Sequence, residues 1–213
     1  MKTRMFFLHV TCVALLLAPV IHAEDVPAPQ LYVSPWTVQN VQGTWADEIT
    51  TIHERCHEVN SRLRNRWGKS CLYVGDKKFA WLPKARGTLA QVANASQYRG
   101  DLFQLYLIQQ QQHWNDDPMY LFDEWVCYAN GAAVAVYGKP VPGQHWSDVQ
   151  YACEMGYYCR IVADQSGDKE IMEFWRWHAK KCVKIADDAE RKQRNYRQTV
   201  KPWREWLRGR IRR

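Results

Sequence analysis

Beyond one run near its start, the 213-residue chain lacks any apolar stretch long enough to cross a bilayer as a helix, which excludes a multi-span helical membrane protein. It lacks a C-x-x-C pair, so the commonest kind of cysteine-ligated zinc site is not to be expected. The Gln109–Gln112 run is too short to count as low complexity.

The exceptional run extends from Met5 to Ile21, behind the basic start Met1-Lys2-Thr3-Arg4, and reaches Ala23 just before Glu24-Asp25. A basic start, a short apolar run and a small residue at the exit predict a secretory signal peptide over 1–23. A membrane anchor is the alternative, weakened by His9, Thr11 and Pro19 within the run. The expectation is an exported protein of the periplasm, the cell surface or the medium. Of seven cysteines, Cys12 would leave with the signal peptide; Cys56, Cys71, Cys127, Cys153, Cys159 and Cys182 would remain. An even number in an exported chain predicts up to three disulfides, in a connectivity the sequence leaves open.

Charge is unevenly placed. Residues 176–213 hold 14 Lys/Arg against 4 Asp/Glu, whereas 24–175 hold 13 against 18. The body is mildly acidic and the end strongly basic, so the overall +7 says little about any site. In the final segment Trp203, Trp206, Leu207 and Ile211 interleave with arginines. Such a tail suits an anionic membrane or wall surface; nucleic acid is the less expected partner for an exported chain, and docking of the tryptophans on the body is an equal alternative.

In chain order, prolines at 27, 29 and 35 predict an extended lead-in over 24–43 that packs through Leu31, Val33, Trp36 and Val38. Thr44 is a plausible N-cap for a helix carrying Ile49, Ile52, Cys56, Val59, Leu63 and Trp67, which Gly68 ends. Ser70–Val74 and Phe79–Leu82, around Gly75-Asp76, read as a β-hairpin. Helices are predicted over 88–95, 101–113 and 119–129, the last ended by Asn130-Gly131, with Ala132–Tyr137 either a short strand or a continuing helix and a loop at Pro140, Pro142 and Gly143. Two more follow over 146–160 and 169–185, the latter with His178 on its buried stripe as a core histidine. The domain expected is 44–186, with 187–213 as a basic Trp/Arg-rich tail.

Two stretches carry chemistry. In His53-Glu54-Arg55-Cys56-His57 the two histidines fall at i and i+4 on one helical face, so both imidazoles can meet one metal ion. Glu54 can poise a metal-bound water as general base. The second stretch, Met119–Ala129, is nearly all apolar and aromatic yet places Asp123 and Glu124 at its centre. Carboxylates there are costly unless paired or bound to metal. Tyr128, four residues beyond Glu124, shares its face and can donate to an oxyanion. Asp123 can orient an imidazole.

The H-E-x-x-H set resembles the zincins, the HExxH zinc metallopeptidases. Arg55 and Cys56 depart from the uncharged residues that family prefers. The resemblance implies peptide hydrolysis at a Zn2+ site formed by His53, His57 and a third ligand. In the Glu-type branch, the gluzincins, that ligand is a downstream helical Glu, a role Glu124 fits. His145, beyond the predicted loop, is an alternative ligand or a second transition-state donor. Zincins also line the cleft with an antiparallel edge strand, which by analogy is the hairpin. If Cys56 and Cys127 paired, one bond would join the two ligand helices.

The fold expected is therefore α+β, predominantly helical, zincin-like with a small β-hairpin and disulfide-stapled. Its function would be metal-dependent hydrolysis of a peptide or protein substrate. The rival reading is a non-catalytic, disulfide-stabilised binding protein of the periplasm or cell surface, attached through its basic tail, with some of the 11 tryptophans as exposed platforms.

Overall fold

The longest run of buried side chains belongs to one helix, Met119–Tyr137, and the other elements are wrapped around it. The structure is a computed structural model that describes residues 29–38, 48–68, 70–138, 146–192 and 197–212. The predicted signal peptide, Thr44, the 139–145 loop and His145 lie outside the described residues.

In order, the elements are β1 (Leu31–Val33), α1 (Glu48–Trp67), β2 (Ser70–Gly75), β3 (Lys78–Leu82) and α2 (Leu89–Ala95). A π-helix (Phe103–Gln109) follows, then α3 (Gln111–Trp114), α4 (Met119–Tyr137), α5 (Ser147–Ser166), α6 (Lys169–Lys192) and α7 (Arg197–Ile211). The fold is mostly helical α+β, with one three-stranded antiparallel sheet in the order β1-β3-β2.

Helix α4 is apolar nearly all round because it packs against α1, α5, α6 and β2 at once. It also runs past Asn130-Gly131, which was expected to end it. The Asn130 amide donates to Val126 O (2.9 Å) and Tyr73 O (3.0 Å) instead of competing for its own backbone. Gly131 leaves the space that the Asp148 carboxylate fills. The hairpin forms as predicted, with Asp76 and Lys77 both at positive φ, as its tight turn demands. The lead-in contributes a strand, β1, against β3; Val38 is buried, whereas Val33 is 81% exposed.

Residues 101–113 form a π-helix and a short α-helix rather than one regular helix. The buried Glu154 carboxylate of α5 accepts from the N–H groups of Leu102 (2.8 Å) and Asp101 (3.2 Å). Phe103, Tyr106 and Leu107 are drawn inward.

The predicted stripe of α6 is buried throughout, and His178 is a core histidine as expected. Its ring lies edge-on to Trp125 and stacked on Phe174, at centroid distances of 4.6 and 5.4 Å. Neither ring nitrogen has a hydrogen-bond partner among the described residues, and burial pushes its pKa well down, so it is neutral.

Two expectations are corrected. All six cysteines among the described residues are buried free thiols, so no disulfide staples the described residues. Cys56 and Cys127 lie together as thiols, and the Asn60 amide is 3.9 Å from one sulfur and 3.7 Å from the other. The boundary at 187 also falls inside α6, which continues to Lys192. Beyond it α7 docks on α5 and α6 through buried Val200 and Leu207, and Trp206 meets Tyr157 edge-on at 4.7 Å. Arg204, itself buried, pairs with Glu190, and Arg208 with Asp187 at 2.6 Å. The basic end is a packed helix with part of its charge neutralised. No described helix is long and apolar enough to cross a membrane.

Candidate metal centre

The i, i+4 spacing on α1 and the acidic pair on α4 come together where these helices pack. The Nε2 atoms of His53 and His57 are 3.1 Å apart, and each is 3.4 Å from Oε2 of Glu124. Ligands held about 2.1 Å from a tetrahedral zinc stand about 3.4 Å from one another. The triangle therefore has the size of one face of such a site. His53, His57 and Glu124 are a group positioned to hold a metal ion. The chemistry of the set agrees: two imidazole nitrogens and a carboxylate oxygen converge, and a cation relieves that concentration of lone pairs.

The protonation behaviour has the same cause. Burial by itself lowers the pKa of His57, but its hydrogen bonds and charge interactions with Asp123 and Glu124 outweigh burial and raise it to about 11. For Glu124 burial works upward, and the two histidines outweigh it to bring the group down to about 2. Without a metal the centre holds a proton on His57.

Several groups fix the ligands. Asp123 Oδ1 lies 3.1 Å from Nδ1 of His57, which turns Nε2 toward the triangle. That carboxylate also accepts from the Asn60 amide (2.6 Å) and pairs with Arg64, so its charge is compensated although it is buried. Asn60 accepts in turn from Tyr73 N (2.6 Å) and so ties α1, α4 and β2 at one point. On the other side the Tyr106 hydroxyl donates to Glu124 Oε2 (3.1 Å) and shares a 2.7 Å bond with the Tyr128 hydroxyl. The Tyr128 ring packs on His53 at a centroid distance of 4.4 Å.

The centre opens into a cavity of about 530 Å³. Glu54 is exposed and lines it beside both histidines; Leu72, Leu105, Trp114 and Met119 form an apolar wall. Tyr128, expected as a donor facing the cavity, stands behind His53 and is not among the lining residues; Tyr106 and Tyr120 line it instead. Tyr120 lies against Glu124 and stacks flat on Trp114, with centroids 4.9 Å apart and planes 5° from parallel. Arg55 is turned away from the cavity and pairs with Glu58 at 2.6 Å, so its charge does not intrude on the histidines.

Sequence reasoning missed Asn60, Tyr106 and Tyr120. Tyr120 precedes Glu124 by one helical turn and Asn60 follows His57 by nearly one, so the face rule that paired the histidines would have found both. Tyr106 carried no such signal, because the π-helix places it. The edge-strand analogy meets an obstacle: β2 flanks the cavity through Ser70 and Leu72, but its outer edge is capped by side chains. Asn60 takes Tyr73 N, Asn130 takes Tyr73 O and Lys181 takes Val74 O.

No family model, no curated protein and no solved structure matches the chain.

Proposed function

We propose that this protein is an exported zinc-dependent metallohydrolase, a peptidase distantly resembling the gluzincins. The observation that carries the reading is the triangle of His53, His57 and Glu124, with Glu54 on the wall of the same cavity. His53, His57 and Glu124 would hold the ion, and two imidazoles with one carboxylate suit zinc at a catalytic site that keeps an open position. Bound there, zinc supplies Lewis acidity and a water of lowered pKa.

The chain's own residues account for the remaining requirements. Glu54 is within the cavity and solvated, and as a carboxylate it accepts the proton of the attacking water and returns it to the departing amine. Tyr120, at the cavity wall, donates its hydroxyl to the carbonyl oxygen as negative charge develops, taking the role expected of Tyr128. The apolar wall of Leu105, Trp114 and Met119 receives a substrate side chain. Since side chains occupy the outer edge of β2 around Tyr73 and Val74, the substrate is held by the cavity walls rather than by added strand pairing there. Export rests on the leader-like residues 1–23.

The test is metal analysis and peptide digestion on purified protein. One zinc per chain, lost in His57→Ala, together with peptide cleavage abolished in a metal-replete Glu54→Gln variant, is the expected result. Absence of zinc from the native protein, or undiminished cleavage by Glu54→Gln, would refute the reading.

A further inference from the structure

The imidazole of His57 has two nitrogens, and the candidate centre uses one of them. At the other, Nδ1, two more donors gather. Cys127 Sγ lies 3.4 Å from Nδ1 and 3.7 Å from Asp123 Oδ1, and that oxygen is itself 3.1 Å from Nδ1. The three side chains come from facing helices, His57 from α1, Asp123 and Cys127 from successive turns of α4. They are a second group placed to hold a metal ion. An ion about 2.0–2.1 Å from nitrogen and oxygen and about 2.3 Å from sulfur, at tetrahedral angles, sets the first two about 3.4 Å apart and each about 3.6 Å from the sulfur. The observed triangle is of that size.

The two groups differ in chemistry. The first offers two nitrogens and an oxygen; the second offers nitrogen, oxygen and sulfur, and sulfur favours soft ions. Burial pushes the pKa of the Cys127 thiol well up, so only an ion that binds sulfur tightly displaces its proton, which passes to solvent. The Asn60 amide donates to Asp123 Oδ1 at 2.6 Å and Arg64 pairs with Oδ2, which fixes the carboxylate beside Nδ1 and leaves Oδ1 a lone pair to share. His57 and Asp123 also line the metal cavity, which gives an ion its way in. A neutral imidazole carries a proton on one nitrogen and a lone pair on the other. His57 in that form serves an ion at Nε2 or an ion at Nδ1, not both at once.

We infer that His57, Asp123 and Cys127 form a second ion site, selective for thiophilic divalent cations such as Cd2+, that competes with the zinc site for the single lone pair of His57. An ion held there turns Nε2 into a donor and leaves the first site with His53 and Glu124 alone, so thiophilic ions block the reaction. The inference rests on the metallohydrolase reading for what is displaced, and on these three donors alone for the binding.

A cadmium–thiolate bond absorbs in the ultraviolet, and the His53–His57–Glu124 triangle contains no sulfur, so the band reports the second site directly. Purified metal-free protein titrated with Cd2+ should develop it and saturate at one ion per chain. Cys127→Ala should lose the band; Cys56→Ala should keep it, as should Glu124→Gln, which depletes only the first site. Zinc-loaded protein should release its zinc as the band appears. No band in the wild-type protein, a band that survives Cys127→Ala, or a full band with zinc still bound overturns the inference. A protein that takes up no zinc yet develops the Cys127-dependent band loses the metallohydrolase reading and keeps this site. One that binds zinc and cleaves peptide but never develops the band keeps that reading and loses this site.

Discussion

The Asp123 carboxylate lies 3.1 Å from Nδ1 of His57, although the two residues are 66 apart in the chain. This contact joins α1 to the central helix, α4. It also leaves His57 one free nitrogen, Nε2, which faces His53 and Glu124. The adjacent acids Asp123 and Glu124 therefore do different work, one behind an imidazole and one beside it.

Removing that acceptor should weaken metal binding without removing a ligand. Asp123→Asn is expected to lower zinc affinity by about 10–100-fold, read by competition against a chelating dye. Unaltered affinity would mean that the orientation of His57 does not depend on this carboxylate.

Tyr106 acts on the opposite side. Its hydroxyl donates to the Glu124 oxygen that faces the histidines. Tyr106→Phe should cost about 1 kcal/mol, about fivefold in affinity, and shift the visible absorption of the cobalt-substituted protein. A variant with wild-type affinity and an unchanged cobalt spectrum would argue that the hydroxyl merely fills space.

The raised pKa of His57 gives the metal-free protein a distinct pH response. A histidine at about 11 when folded, against 6.5 in the unfolded chain, contributes stability that is complete below 6.5 and is lost as pH rises toward 11. The slope reaches about 1.4 kcal/mol per pH unit. Chemical denaturation of metal-free protein at about pH 6 and about pH 9 should show the lower midpoint at the higher pH. Because metal displaces the same proton, apparent zinc affinity should climb about tenfold per unit over that range. A flat dependence in both measurements would show that His57 is not protonated in the metal-free state.

The C-terminal helix is predicted to be part of the folding unit. Leu207 is fully buried, and its methyl groups lie 3.2 and 3.3 Å from the position a Cβ on Gly156 would take. Leu207→Ala should therefore cost about 3 kcal/mol in urea denaturation, within the range for a core leucine. A cost near zero would return residues 187–213 to the status of a separable tail.

Much of this was legible in the sequence, for reasons that differ by element. The hairpin was readable because Gly75-Asp76 separates two short β-rich runs. The stripe of α6 was readable because one face is buried and the other wet, which writes a period into the residues. Helix α4 was harder, since burial on every side erases periodicity; Asn130-Gly131, a local stop signal, was overridden by partners on β2 and α5. The expectation of disulfides came from counting cysteines and a presumed compartment, and neither measures where sulfur atoms lie.

By itself the sequence determined that His53 and His57 share a face, because helical geometry is local and a spacing of four can mean little else on a helix. It also marked Asp123 and Glu124 as anomalous, because charge in an apolar run demands compensation. Only the tertiary structure decided that these two anomalies are one site. It also put Glu124 beside the two Nε2 atoms and Asp123 behind His57, and brought in Tyr106, from a π-helix held at its start by Glu154. Such convergence depends on how α1, α4 and α5 pack, and packing is a sum over contacts distant in the chain that no local pattern encodes.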